Sequence, residues 1–344
     1  MVTLYIHNPP VFRSGMAMSP AERIIEVSIP SNEYAVIDTA WCLSQINRRS
    51  YRQGYEYAID KLELFQTDPT VAATLNIYRL PATWVSYNSW VKAYSHWKEQ
   101  QDDAMAETGT FSMRAKYRDF KIVYNLGHAT GLQGGVAVTQ PVPAGSMSLA
   151  DAQAIDVEAE FNWDYSQMVV PNVTGAGGVT QEYIVGLIGP DSGTYKGLIH
   201  AYADSRSRPF PEDPSTVTPT GSNLDGGLYA AMQDVGEDFD EVMENVTERN
   251  NSPPYLVAGI DSPSEFYPGG SIMGSDKGVW MDRLRVAAST SVNNPLSTDS
   301  TGSFTALCGL IMVFNDSESS NVVRLHCSPG DYHGVLARPM GDGN

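Results

Sequence analysis

Positive charge is scarce in this chain: 22 Lys and Arg stand against 40 Asp and Glu, a formal net charge of −18 over 344 residues. Phosphate backbones attract proteins through Lys and Arg, so this balance excludes broad affinity for nucleic acid and confines any such contact to a local cluster of cations. Cysteine is scarcer still. Cys42, Cys308 and Cys327, an odd number at irregular spacing, supply neither a disulfide framework nor a zinc-finger pattern, and the pair His326-Cys327 has no further ligand at a motif-like distance. A reducing site of synthesis is the expectation. Long apolar runs are missing too: stretches such as Ala306 to Phe314 fall well short of the ~20 residues that a membrane-spanning helix needs. The start MVTLYIHNPP has neither the basic residues nor the apolar core of a secretion signal. Membrane insertion and ordinary secretion are therefore not expected.

Signatures of catalysis are equally thin. No G-x-S-x-G, H-E-x-x-H or G-x-x-x-x-G-K-[ST] occurs, and Gly189 to Gly197 (GPDSGTYKG) reads as a turn rather than a phosphate loop. His7, His96, His128, His200, His326 and His333 each stand alone. The reading is of a protein that is not an enzyme and uses no cofactor. Hard oxygen ligands at Asp299 to Gly302, Asp316 to Glu318 and Asp331 leave open a structural Ca2+ at acidic subunit contacts, although no EF-hand spacing is present and solvated surface acids are the ordinary explanation.

What is abundant is turn chemistry, with 30 Gly and 21 Pro, and between the turns lie short segments rich in β-branched and aromatic residues. Expected strands are Glu22 to Ile29, Tyr55 to Phe65, Val71 to Leu80, Ser112 to Asn125, Ile155 to Asn162, Gln181 to Ile188, Leu198 to Ala203, Val279 to Ala287, Ser303 to Phe314 and Val322 to Cys327. Ser303 to Phe314 reads as buried on both faces, whereas Ser112 to Asn125 sets Met113, Ala115 and Tyr117 against Arg114, Lys116 and Arg118 and so has one wet face. Together they imply an all-β protein with a few helices, built as an antiparallel β-sandwich. One expected helix runs from Leu228 to Val246, apolar at Leu228, Met232, Val235, Phe239, Val242 and Val246 and acidic between. A second, about Trp84 to Asp102, is ringed with aromatics. Its Trp84, Trp90 and Trp97 are candidates for a subunit interface, where aromatic anchors are enriched, with packing inside one chain as the plainer reading.

Charge is unevenly spread. Residues 1–122 carry 13 basic and 13 acidic side chains, so residues 123–344 hold the remaining 9 of 22 and 27 of 40. Cations gather at Arg48, Arg49 and Arg52 and again at Arg114, Lys116, Arg118 and Lys121, beside tyrosines that can stack on bases. These are the candidate nucleic-acid-facing residues, with solvated faces as the alternative. Long loops at Gly127 to Asp151, Asn172 to Thr180, Asp204 to Gly227 and Asn250 to Gly278 suit contact surfaces. In the third of them Arg206, Arg208 and Phe210 look like a docking strap, and Phe210 joins the interface candidates.

One order of features resembles a known family. It comprises Asn47-Arg48-Arg49-x-Tyr51-Arg52-Gln53-Gly54 leading into a strand, L-P-x-T-W at Leu80 to Trp84, an aromatic helix ending Trp97-Lys98-Glu99, and Lys116-Tyr117-Arg118-Asp119-Phe120-Lys121. GLIHAYADSRSR at Gly197 to Arg208 and FYPGG at Phe266 to Gly270 add to it. The pattern is similar to the capsid proteins of small circular single-stranded DNA viruses of aquatic and environmental type. That resemblance implies one jelly-roll domain over residues 1–344, with loop and helix insertions at about 127–151, 204–250 and 250–278. It further implies self-assembly into an icosahedral shell around a nucleic-acid genome, hence copies of the chain and possible nucleic acid as partners, no membrane, and location in a virion assembled inside the host cell. The Arg-rich arm with which many such proteins begin has no counterpart in MVTLYIHNPP, which leaves the two cation clusters as the residual inner face. Other classes remain open: a non-viral assembling subunit, or a carbohydrate-binding sandwich using Trp84, Trp90, Trp97 or Trp163 as a platform.

Overall fold

In Ile24–Ile29 and Asn321–Cys327 every second side chain is buried, Ile25, Val27 and Ile29 in one, Val323, Leu325 and Cys327 in the other, because strand side chains alternate across a sheet. Burial of period two builds most of the molecule. The computed structural model describes residues 21–109, 118–132, 164–170, 180–189, 191–207, 228–232, 278–289 and 298–343. Its strands are β1 (Ile24–Ile29), β2 (Tyr34–Asp38), β3 (Tyr55–Gln66), β4 (Ala73–Arg79), β5 (Gln167–Val170), β6 (Gln181–Gly186), β7 (Tyr195–Gly197), β8 (Val279–Val286), β9 (Thr298–Ser300), β10 (Phe304–Ala306), β11 (Leu310–Asn315), β12 (Asn321–Cys327), β13 (Pro329–Gly330), β14 (Gly334–Val335) and β15 (Ala337–Pro339). The helices are α1 (Thr39–Asn47), α2 (Trp84–Thr108), α3 (Leu126–Leu132), α4 (Leu198–Ser207) and α5 (Leu228–Met232). The fold is mostly β, in antiparallel sheets with few helices.

Two sheets dominate. One runs β1-β12-β3-β10 with β9 and β15 added on β3, the other runs β2-β11-β4-β8, and every pair in both is antiparallel. They share a core to which the first contributes Val27, Ile59, Leu62, Leu64 and Val323, and the second Ile37, Leu75, Ile77, Leu284 and Val313. Behind the second sheet lies another core, where Val36, Leu310 and Met312 meet α2, Phe120 to Tyr124, β5, β6 and α4. Strand β11 thus serves both: Ile311 and Val313 point into the first core, Leu310 and Met312 into the second.

The described parts of residues 80–278, between β4 and β8, hold α2 to α5 and a small sheet β5-β6-β7 in which β7 lies parallel to β6. This layer begins at Leu80, earlier than the expected insertion at 127, while most of 127–151, 204–250 and 250–278 falls outside the described residues. Helix α2 starts where Thr83 Oγ1 accepts the Ser86 N–H and stops at Gly109, whose φ of 65° lets its N–H turn back to Ala106.

Several expected strands read differently in three dimensions. Leu198 to Ala203 is the start of α4, because Leu198, Ile199, Ala201 and Tyr202 fall on one helical face against the second core. Ser303 to Phe314 is not one strand: Cys308 (φ 53°) and Gly309 (φ 67°) are consecutive left-handed residues that break it and carry the chain from the first sheet into the second. Of Ser112 to Asn125, residues 118–125 are described, and in place of a ladder they make a single bridge, Val123 to Gly186. Ile155 to Asn162 and the acidic helix beyond Met232 lie outside the described residues.

Candidate assembly and nucleic-acid surfaces

Helix α2 spends its first half on packing within the chain. Trp90 stacks on Tyr94 with centroids 5.2 Å apart, meets Phe120 edge-on at 5.9 Å and keeps 6% of its surface exposed. Trp97 lies 5.5 Å from Phe120, and Trp84 and Trp97 are half-buried against the same core. Trp90 therefore has little surface to offer a neighbouring subunit, and Trp84 and Trp97 offer only part of theirs. Phe210 and Trp163 lie outside the described residues. A Cβ on Gly54 would sit 2.8 Å from Trp90 Cζ2, so the indole rests on bare backbone.

One member of each cation cluster, Arg52 and Lys121, comes near Asp119 at this junction. Gln53 is fully buried and acts as a rivet: Nε2 donates to Asp38 Oδ2 (3.1 Å) and to the Ile122 carbonyl (2.9 Å), and Oε1 accepts the Ile122 N–H (2.5 Å). Its backbone N–H donates to Asp119 Oδ2 at 3.1 Å. Asp38 is in turn the N-cap of α1, Oδ1 accepting the Trp41 N–H. Burial raises the Asp119 pKa, while the N–H groups of Gln53 and Gly54 and the positive charges of Lys121 and Arg52 pull it down. Arg52 and Lys121 thus flank one carboxylate from opposite segments, and Arg118 is turned away onto α2, where Nη2 donates to Asp102 Oδ1 at 2.8 Å. Arg48 and Arg49 are exposed, Arg48 in the left-handed conformation that ends α1. Arg114 and Lys116 fall outside the described residues.

The outer faces of the two large sheets differ in chemistry. On the first, Arg324 pairs with Glu26 (2.7 Å), and Glu63 takes both His326 Nε2 (2.7 Å) and Lys61 (2.5 Å), whose hydrogen bonds lower its pKa. On the second, the register sets Arg283, Asn76, Phe314 and Tyr34 in one row and Trp280 beside Tyr78 in the next. Phe314 and Tyr34 stack at 4.4 Å, Arg283 Nε donates to Asn76 Oδ1 at 2.6 Å, and Trp280 and Tyr34 keep 56% and 42% of their surface exposed. Sequence reasoning named none of this row. The alternation in VWMDRLRV identifies a strand, but which face stays open depends on how far the inserted layer reaches.

Among the described residues no group of three or more His, Cys, Asp or Glu converges for a metal ion. Asp299, one of the expected calcium ligands, accepts the Arg285 and Ser300 N–H groups instead. His96, stacked on Tyr229 at 4.9 Å, is lowered to a pKa of about 4 by burial and by Lys92. No described helix is long and apolar enough to cross a membrane. No protein-family model, curated protein or solved structure matches the chain.

Proposed function

We propose that this chain is the coat subunit of an icosahedral virus shell, a structural part rather than an enzyme, folded as a single jelly roll. One observation carries the reading. With β9 and β15, two short strands that also pair with β3, set aside, β1, β2, β3, β4, β8, β10, β11 and β12 make eight strands in chain order, and first pairs with eighth, second with seventh, third with sixth, fourth with fifth. A long antiparallel ribbon with those pairings, rolled so that eighth also meets third and seventh meets fourth, is what a jelly roll's double Greek key calls for, and the contacts β12·β3 and β11·β4 support that reading. The exposed Trp280 and Tyr34 support self-association, since Trp and Tyr are preferred anchors of protein interfaces.

A shell multiplies a modest contact over closed symmetry, so each interface can be weak. With −18 per chain, copies repel until salt screens them, and assembly should strengthen as ionic strength rises. Arg48, Arg49, Arg52 and Lys121 are the described candidates for contact with the enclosed genome, and the virion formed inside a host cell is the expected location. The test is negative-stain microscopy with sedimentation velocity of purified protein across a salt and calcium series. Regular closed particles support the reading. A monomer throughout overturns it, and a monomer that binds glycans points to the carbohydrate-binding alternative that jelly rolls also serve.

A further inference from the structure

One face of the last three turns of α2 is held by the body, where Gln100 bonds the Val169 backbone and Arg118 reaches Asp102 and Met105, and the other face is exposed: there Glu99, Asp103 and Glu107 repeat at intervals of four, which aligns them. Within the chain this arrangement is unfavourable. Like charges four apart repel, and Glu107 sits in the last turn, at the negative end of the helix dipole, where no basic residue answers it. Among the described residues Asp103 and Glu107 meet no cation, and the one partner of Glu99 is His96 at 3.8 Å, which burial keeps neutral near pH 7.

The matching surface carries two exposed arginines, Arg283 and Arg285. On the outer face of the second sheet the inserted layer covers Val36, Leu310 and Met312 and leaves Trp280, Arg283 and Tyr34 exposed, with Tyr78 and Phe314 half-buried between them and Asn76 buried beneath Arg283. Next along the edge is Arg285, which is exposed. The backbone N–H groups of Arg283 and Arg285 are taken by Asp282 and Asp299 carboxylates, so this edge is closed to strand addition and contact must come through side chains on the face. The N-terminus of α2 follows β4 after a short link, and its 25 residues span ~37 Å at ~1.5 Å each, which sets the acidic tip far from where the helix leaves the sheet.

Resting on the shell reading above, we propose that the occupant of this aromatic and arginine face is a second copy of the chain, whose α2 tip docks head-to-tail with Glu99, Asp103 and Glu107 against Arg283 and Arg285 and its helix backbone over Trp280. The contact is heterologous, because the two surfaces differ, and it repeats until a ring closes. Exposed arginines beside exposed aromatics give the docking face the composition of an interface hot spot, and the opposite signs overcome locally the repulsion between two acidic chains.

Charge exchange tests it. E99K/D103K/E107K and R283E/R285E are each made in the full chain, alone and combined, and the assembled fraction is read by sedimentation velocity at one fixed salt concentration. Each set alone should weaken association by about tenfold or more, and the combined variant should recover it, since only the signs are swapped. Circular dichroism of each variant checks that the exposed changes leave the fold intact. As a measurement independent of charge, D103C and W280C chains are mixed under mild oxidation, and a disulfide-linked dimer on a non-reducing gel is the expected product. Wild-type particles with either charge set assembling normally, no recovery in the combined variant, or no linked dimer overturns this contact while the shell reading stands. Wild-type protein that stays monomeric overturns both.

Discussion

Gln53→Leu is the sharpest probe of how the two cores are held together. Leucine fills a similar volume, so the change removes hydrogen bonds without opening a cavity. It strips the side-chain partners from both the N–H and the carbonyl of Ile122, which is fully buried, and one donor from the Asp38 carboxylate. Each buried polar group left unsatisfied costs about 1–3 kcal/mol. Asp38 keeps the Trp41 N–H at 3.0 Å and the Tyr165 hydroxyl at 3.4 Å, so its share is small. The two Ile122 groups set the expected loss at roughly 2–6 kcal/mol, a large part of the ~5–15 kcal/mol that holds a typical domain. Urea unfolding followed by tryptophan fluorescence measures the loss, and hydrogen exchange at the Ile122 amide locates it. A loss below ~1 kcal/mol with the Ile122 amide still protected would refute the rivet.

Gly54→Ala should cost about 1–3 kcal/mol, because its Cβ would stand 2.8 Å from Trp90 and the indole must leave its stack on Tyr94; an unchanged melting temperature would contradict that packing. Between pH 6.5 and about 4 the unfolded chain takes up a proton that native His96 refuses, so stability falls as pH drops through this window, by roughly 3 kcal/mol at most, and His96→Phe removes that slope. Asp119 acts with the opposite sign: its raised native pKa means that the folded chain protonates first, stability rises as pH falls through that value, and Asp119→Asn flattens the rise. Unfolding free energies measured against pH for wild type and both variants separate the two, and parallel curves for all three would sink both assignments.

Much of the fold was legible in the residues. The alternation in IIEVSI, YEYAIDKLELF and VVRLHC marks β1, β3 and β12, and the 3- and 4-residue spacing of Trp84, Tyr87, Val91 and Tyr94 marks α2. What stayed hidden had physical reasons. YAVIDTAWCLSQIN has nine apolar residues of fourteen in uneven runs, so neither period shows, and it is the Asp38 cap that turns β2 into α1. The Cys308 kink could not be read because cysteine rarely adopts a left-handed conformation. Of the candidate site, both cation clusters were visible as clusters, but the approach of Arg52 and Lys121 to Asp119 runs through Gln53, an amide without any local signature. Trp280 and Tyr34 sat in plain strand text, and their openness depends on the extent of a layer contributed by distant segments.

Strand β11 carries a consequence for how such a chain can change over generations. Its odd-numbered side chains from Ile311 to Val313 supply one core and its even-numbered ones the other, so inserting or deleting one residue there would hand each core the other's complement. A substitution there strikes one core, whereas a shift of reading parity strikes both together. Descendants of this gene should therefore vary in length within their connecting segments and hold the stretch from Leu310 to Asn315 at constant count.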